Sequence, residues 1–363
     1  MLHYTIYFRS IIRWICKFIQ AKIIITTYAG GFIMYRNAIK LLFMSFVFLG
    51  CGGGSSSNTA SNIGSSQSIT GGGSTANLSL EELYALTSSQ GGSFVTWWDT
   101  TIDGATEVNQ IKITTNPFYT YDYSVDWGDG RSDRDIVGDI THTYEVNGTY
   151  RIEITGRFPA IYFDDYYENY GNHYDNEKLI MIEQWGRQPW RSMNQAFFNC
   201  QNMEGNFSDA PDLSNVSDMS MMFEDARSFN HPINDWNVST VTNMGELFRN
   251  ATIFNQPLDE WNVSNVTDMS EMFYYAQEFN QSIGNWDVSS VEDMSKMFQQ
   301  ADEFNQSISD WNVSSVTNMR LMFHSADNFA NHDLSDWNVS NVSDYREFMT
   351  DAGEGNIEPN WKE

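Results

Sequence analysis

Carboxylates are the chain's most plentiful reactive side chains: 47 Asp and Glu face 20 Lys and Arg in 363 residues, a net charge of -27. Two carboxylates in unlike surroundings can serve as acid and base in hydrolysis, one holding its proton and one losing it. That chemistry is disfavoured here, because Asp218, Asp268 and Asp293 recur at like places of a repeated text and so meet like surroundings. Histidine supplies no base beside a nucleophile, since His142 belongs to a β motif while His231, His324 and His332 are scattered among variable repeat positions. Cys16, Cys51 and Cys200 give no disulfide framework, and no Cys or Cys/His spacing resembles a zinc site. His173 with Asp164 and Asp175 could hold a metal, but spacing within a loop constrains nothing. Asp126 and Asp129 lack the pattern of a calcium loop, and Asp at a turn usually bonds its own backbone. No catalytic residue, metal or cofactor is expected.

Charge narrows the partners. Residues 201–363 hold 28 Asp and Glu against 6 Lys and Arg, a local net charge of -22 that repels phosphate backbones and excludes nucleic acid. Basic patches, cationic polymers and divalent cations stay open. The simpler reading is a charged face that keeps a repetitive protein soluble.

The elements that would position any site are dominated by a repeat. Trp236, Trp261, Trp286 and Trp311 stand 25 residues apart, and Trp337 follows after 26. Phe223, Phe248, Phe273, Phe298 and Phe323 keep the same beat, as do Met219 to Met319 and Ala226 to Ala326. A degenerate earlier unit, "SMNQAFFNCQNM" (192–203), puts Cys200 at the alanine place, as a small buried side chain. Such a period marks an array whose units cannot bury their apolar faces alone and hold shape only when stacked. In "VTDMSEMFYYAQEF" (266–279), Val266, Met269, Met272, Phe273, Ala276 and Phe279 fall at steps of three and four, which predicts an amphipathic helix begun by Thr267 and Asp268. "PLDEWNV" (257–263) predicts a short extended segment facing the same core. Asn230, Asn255, Asn280 and Asn305 are expected to bond turn backbone and to stack down the array. The atypical stretch 344–363, with Tyr345 in the Met place, reads as a cap.

Ahead of the array, "VNQIKITT" (108–115), "YDYSVDW" (121–127) and "TYRIEITGRF" (149–158) alternate apolar and polar residues as half-buried strands do, with turn text at 129–133 and 146–149. Between the two regions, "IYFDDYYENYGNHYDNEK" (161–178) packs Tyr162, Tyr166, Tyr167, Tyr170 and Tyr174 among acids. These tyrosines either fill gaps between domains or form an exposed patch for a sugar or protein.

The front end has a different logic. In "MYRNAIKLLFMSFVFLGC" (34–51), basic, apolar and small-residue zones follow in the order of a cleaved secretion signal, and the apolar run is too short to span a bilayer. A Gly/Ser-rich tether follows, with a short helix predicted at 79–88. Residues 1–33 are basic and apolar without a spanning run, and Met34 is expected to be the true start.

Three resemblances sharpen these expectations. Residues 34–51 resemble a bacterial lipoprotein signal, which implies a lipid on Cys51; Gly52 is not the Asp that retains such proteins in the inner membrane. "VDWGDG" (125–130) with "THTYEVNGTYRIEITG" (141–156) is similar to the PKD domain, implying an immunoglobulin-like β-sandwich with Trp127 in its core. The repeat resembles the BspA-type leucine-rich repeats of bacterial surface proteins, implying a curved α/β solenoid that engages other macromolecules.

The expected layout is therefore a doubtful leader (1–33), a lipoprotein signal (34–50), a tether with a short helix (51–88), a PKD-like domain (89–160), a Tyr/Asp-rich loop (161–180) and a repeat solenoid with a C-terminal cap (181–363). The expected function is a non-enzymatic adhesion protein at a bacterial cell surface or outer membrane, touching the membrane through its lipid alone and binding a protein or glycan. The alternatives are a secreted carboxylate-dependent hydrolase and a purely structural surface component. Tyr166, Tyr167, Tyr170, Tyr174, Tyr274 and Tyr275 are the candidate binding residues, and Arg249, Gln299, Gln300 and His324 are further variable positions.

Overall fold

The structure is a computed structural model that describes residues 92–163 and 174–361. The signal segment, Cys51, the tether and its helix, and Asp164, Tyr166, Tyr167, Tyr170 and His173 lie outside the described residues. No helix among the described residues is long and apolar enough to cross a membrane.

Alternation builds the β region. β2 (Gln110–Ile113), β3 (Asp122–Asp126) and β6 (Thr149–Arg157) form inside the three segments whose apolar residues alternate. Ile111, Ile113, Tyr123, Val125, Ile152 and Ile154 are the inward-facing set. β1 (Phe94–Asp99), β4 (Ser132–Ile136), β5 (Ile140–Thr143), β7 (Leu179–Gln184) and β8 (Glu204–Gly205) complete two sheets, ordered β4-β3-β6-β1-β7-β8 and β2-β5. β1 lies between antiparallel β6 and β7, with Phe94 opposite Ile154 and Trp97 opposite both Arg151 and Met181. Two sheets around one core are compatible with the immunoglobulin-like expectation for this domain. The larger sheet runs on into the repeat region, because β8 pairs in parallel with β7. Trp185 and Trp190 join the two parts: Trp185 packs on Phe94 at 5.9 Å and on Trp236 at 5.2 Å.

The α/β solenoid expected from 181 onward is not what the chain forms. No α-helix occurs among the described residues, whose only helical element is the 3-10 turn Asn176–Lys178. The array is instead a stack of turns joined by single parallel bridges, Asp218 to Asn243, Asn243 to Asp268, Asp268 to Asp293 and so on to Asp344. The predicted helix over 266–279 fails for a physical reason. Glu271 and Tyr275 sit at φ 54° and 57°, and the same two places are left-handed in every unit from Gln195 and Asn199 to Glu347 and Asp351. A left-handed residue every fourth position ends a right-handed helix before its first turn closes. The backbone then bonds in two ways. Alternate amides close tight turns, as Met272 N to Met269 O does; those between them reach the next unit, as Glu271 N to Ser295 O and Phe273 N to Met297 O do.

The apolar stripe survives this change of backbone. Val266, Met269, Met272, Phe273, Ala276 and Phe279 are all fully buried, because consecutive turns present a face every three or four residues much as a helix does. Phe223, Phe248, Phe273, Phe298 and Phe323 form one column with ring centroids 5.5–5.7 Å apart. Phe254, Phe279 and Phe304 form a second column beside it, and Phe273 lies 3.9 Å from Phe279 in the same unit. Trp236, Trp261, Trp286, Trp311 and Trp337 are buried at the edge of this core. Trp261, Trp286 and Trp311 donate their indole N–H groups to Ile233, Leu258 and Ile283 carbonyls in the preceding unit.

Candidate functional site

The turns decide which side chains face outward together. Each unit holds its core Met, Phe and Ala inward, so the residues at the two left-handed places and just before the second line one face in columns, one per unit; they are half-buried, except Glu224 and Leu321, which are buried. One column reads Glu224, Arg249, Tyr274, Gln299, His324; the next reads Asp225, Asn250, Tyr275, Gln300, Ser325; a third reads Met221, Glu246, Glu271, Lys296, Leu321. The variable positions singled out in the sequence therefore share a face. Tyr274 and Tyr275 are half-buried on it, with ring centroids 4.8 Å apart.

Side chains on this face touch across units. Arg249 is the hub: its Nη1 lies 2.5 Å from Glu246 and 3.3 Å from Glu224, its Nε lies 3.4 Å from Glu271, and its guanidinium sits 5.2 Å from the Tyr274 ring centre. Lys296 reaches Glu271 at 2.7 Å, and Gln300 donates to the Tyr275 hydroxyl at 2.6 Å. Asn250 donates to Asp225 at 3.3 Å, and one ring nitrogen of His324 meets the Thr350 carbonyl at 3.0 Å. Burial pushes the Glu224 carboxyl up to about 8, Glu246 adding to the shift and Arg249 opposing it. Burial also raises Glu246 and Tyr274. Glu224 Oε2 and Gln299 Oε1 are buried without a hydrogen-bond partner among the described residues. Sequence reading passed over Glu224, Glu246, Glu271 and Lys296. Their signal was present: each stands a whole period from a residue of different charge or type while the core text between them is constant.

The repeating polar residues have other duties. Asp218 and Asp268 each accept the amide and hydroxyl of the serine two places on, and Asp293 accepts the Ser295 amide at 2.7 Å. Carboxylates tied into like turns have like environments, so they do not separate into an acid and a base. Each Asn of the column from Asn230 to Asn305 accepts an amide of the following unit: Asn255 N on Asn230 Oδ1, Asn280 N on Asn255 Oδ1 and Asn305 N on Asn280 Oδ1, all at 3.0 Å. The bond expected within a turn thus runs between turns. Cys200 is fully buried in the alanine column, and burial raises its thiol well above the usual range.

In the β domain, Trp127 is buried, stacks on His142 at 4.7 Å and donates to Asp133 at 2.8 Å. Asp126 accepts the Gly128 amide; Asp129 accepts the Arg131 amide and meets His142 Nε2 at 2.9 Å. Of the tyrosine-rich loop, Tyr162 and Tyr174 are described, and Tyr174 packs edge-on against Phe163 at 6.2 Å.

Stacked units with a fixed interior and a varied, ion-paired face define a repeat protein. Residues 168–282 and 256–361 match the family described as "Mycoplasma protein of unknown function, DUF285". Together the matches run over 168–361, more than half of the chain, and the chain belongs to that family. No curated protein and no solved structure matches it.

Proposed function

We propose that this chain is a non-enzymatic interaction protein of the bacterial surface, held by a lipid on Cys51, whose varied face binds a protein or a glycan. One observation carries the reading: residues that change from unit to unit stand together over a core that does not change. A rigid scaffold that varies side chains on one face is the general plan of repeat-protein recognition. Half-buried Tyr274 and Tyr275 beside Arg249 supply the aromatic and guanidinium groups that dominate binding energies. Amides at Asn250, Gln299 and Gln300 supply donors and acceptors for hydroxyls or backbone.

The test is a glycan and surface-protein array probed with the mature protein, followed by Tyr274→Ala and Arg249→Ala variants. Binding of a defined partner that weakens about tenfold or more in either variant, with folding intact, is the expected result. Catalytic turnover of a peptide, ester or glycan, abolished by one carboxylate substitution, would overturn it. So would binding that neither variant alters.

A further inference from the structure

A cavity of about 470 Å³ opens where the array begins, between the 207–209 loop and the first two regular units. The stack slips there. In later units a tryptophan N–H reaches the carbonyl of the preceding unit, as Trp261 does to Ile233 and Trp286 to Leu258. Trp236 is 2% exposed and its N–H meets no acceptor among the described residues, while the Phe207 carbonyl is taken by His231 Nε2 at 2.8 Å. Asp209 ties the loop to the turn after β7 by accepting the Trp185 and Gly186 amides at 3.1 and 2.8 Å. The walls of the cavity are of two kinds. Buried Phe207 and half-buried His231 lie with ring centroids 4.2 Å apart, and Pro232 stands beside them. Asp235 and Glu260 are exposed, hold equivalent places in consecutive units, and enter no ion pair or side-chain hydrogen bond among the described residues.

We infer that this cavity takes an arginine side chain of another protein, its stem on the Phe207, His231 and Pro232 wall and its guanidinium between Asp235 and Glu260. Charge fixes the sign: no Lys or Arg lines the cavity among the described residues, and two free carboxylates do. Geometry fixes the group. Carboxylates from two consecutive units call for several donors spread over one head group, which a guanidinium has and a compact, strongly hydrated ammonium lacks. The methylene stem suits the apolar wall. A sugar ring needs an open aromatic face, whereas Phe207 is enclosed by Trp185, His231 and Trp236. Among the described residues no group of three side chains could hold a metal ion. Residues 51–91, which lead into β1, contain no Lys or Arg, and a second copy brings a net charge of -27 against like charge. None of the face residues around Arg249 lines the cavity, so this site stands or falls apart from the function proposed above.

The experiment adds an end-capped Ala-Arg-Ala peptide to the full mature chain and follows its NMR signals, with citrulline in place of arginine as the neutral control and cellobiose as the sugar probe. The arginine peptide shifts the Ser208, Asn234 and Asp235 amides and the Trp236 indole N–H, and binds about tenfold more tightly than the citrulline peptide. The double variant Asp235→Asn with Glu260→Asn keeps the fold, because Asn285 holds the equivalent place in the unit after them. It binds the arginine peptide about tenfold more weakly, and Arg249→Ala binds it as the parent does. Shifts spread evenly over the acidic array, equal binding of the citrulline peptide, cellobiose in the same place, or full affinity in the double variant would each overturn the proposal. So would the same shifts growing with concentration in the chain alone, since the occupant would then be a second copy.

Discussion

Lys178 Nζ lies 3.2 Å from Asp175 Oδ1, and neither side chain reaches solvent. The pair is fully bonded. Asp175 accepts the Thr106 amide and hydroxyl and the Lys112 amide, while Lys178 donates to the Thr106, Glu107 and Gln110 carbonyls and to the Thr106 hydroxyl. One ion pair thus clamps the segment before β2 to the turn that opens β7. Gly104 leaves room for it, since a Cβ there would come within 2.4 Å of Asp175 Oδ1. Removing one partner strands a buried charge. Lys178→Met is expected to cost about 3–5 kcal/mol in urea denaturation, and the double variant with Asp175→Asn less than the sum of the single ones.

The phenylalanine columns predict a cost that spreads. Phe273 stands between Phe248 and Phe298, 5.7 Å from each, and its own amide bonds the Met297 carbonyl. Phe273→Ala should cost about 3–5 kcal/mol through lost burial and the cavity left behind. Since each layer is held by its neighbours, exchange should quicken at the Phe248 and Phe273 amides, while that of Val125 in β3 stays slow. Exchange that quickened in the β domain alone would show that the units do not support one another.

Much of this was legible before any coordinates. The strands over 110–113, 122–126 and 149–157 announce themselves by alternation, and the buried Trp and Phe columns by their period. The backbone of the unit was not. Apolar steps of three and four fit a helix and a run of tight turns equally well, and the first left-handed place is filled by Gln, Met, Glu, Lys and Leu, which carry no turn signal; only the second, with Asn199, Asp225, Asn250 and Asp351, holds residues that tolerate it. Serines after Asp218 and Asp268 were the available hint, since such pairs favour local turns over helix. Of the face, Tyr274 and Tyr275 were found as variable positions. Their neighbours Glu224, Glu246 and Glu271 were hidden among many other acids, and only stacking sets them around Arg249.

Glu224 makes stability depend on pH. Glu246, Asp225 and Glu271 face it as like charges and Arg249 as the opposing one, and burial is the largest influence. The folded chain holds the proton up to about pH 8, whereas the unfolded chain releases it near the ordinary value of 4.5. Between those values the folded state binds more protons, so stability is complete below 4.5 and declines as pH rises through 8. Glu224→Gln should remove that part of the slope. Urea midpoints of the two proteins should agree in mild acid and separate in favour of the variant above pH 8, and a variant that is weaker at every pH would contradict the assignment.

The left-handed places offer the sharpest test of the turn architecture. Ser325 sits at φ 55°, a conformation that β-branched residues resist and that Asn tolerates, as Asn250 does in the same column at φ 56°. Ser325→Asn should leave stability unchanged or raise it by a few tenths of a kcal/mol, whereas Ser325→Val should cost about 1–3 kcal/mol. A helical unit predicts no such contrast, because Val and Asn differ little in helix propensity. The two variants therefore separate the backbones directly. Equal urea midpoints for Asn and Val would mean that the unit is not built from left-handed turns, and with them would go the stacked amides on which the varied face depends.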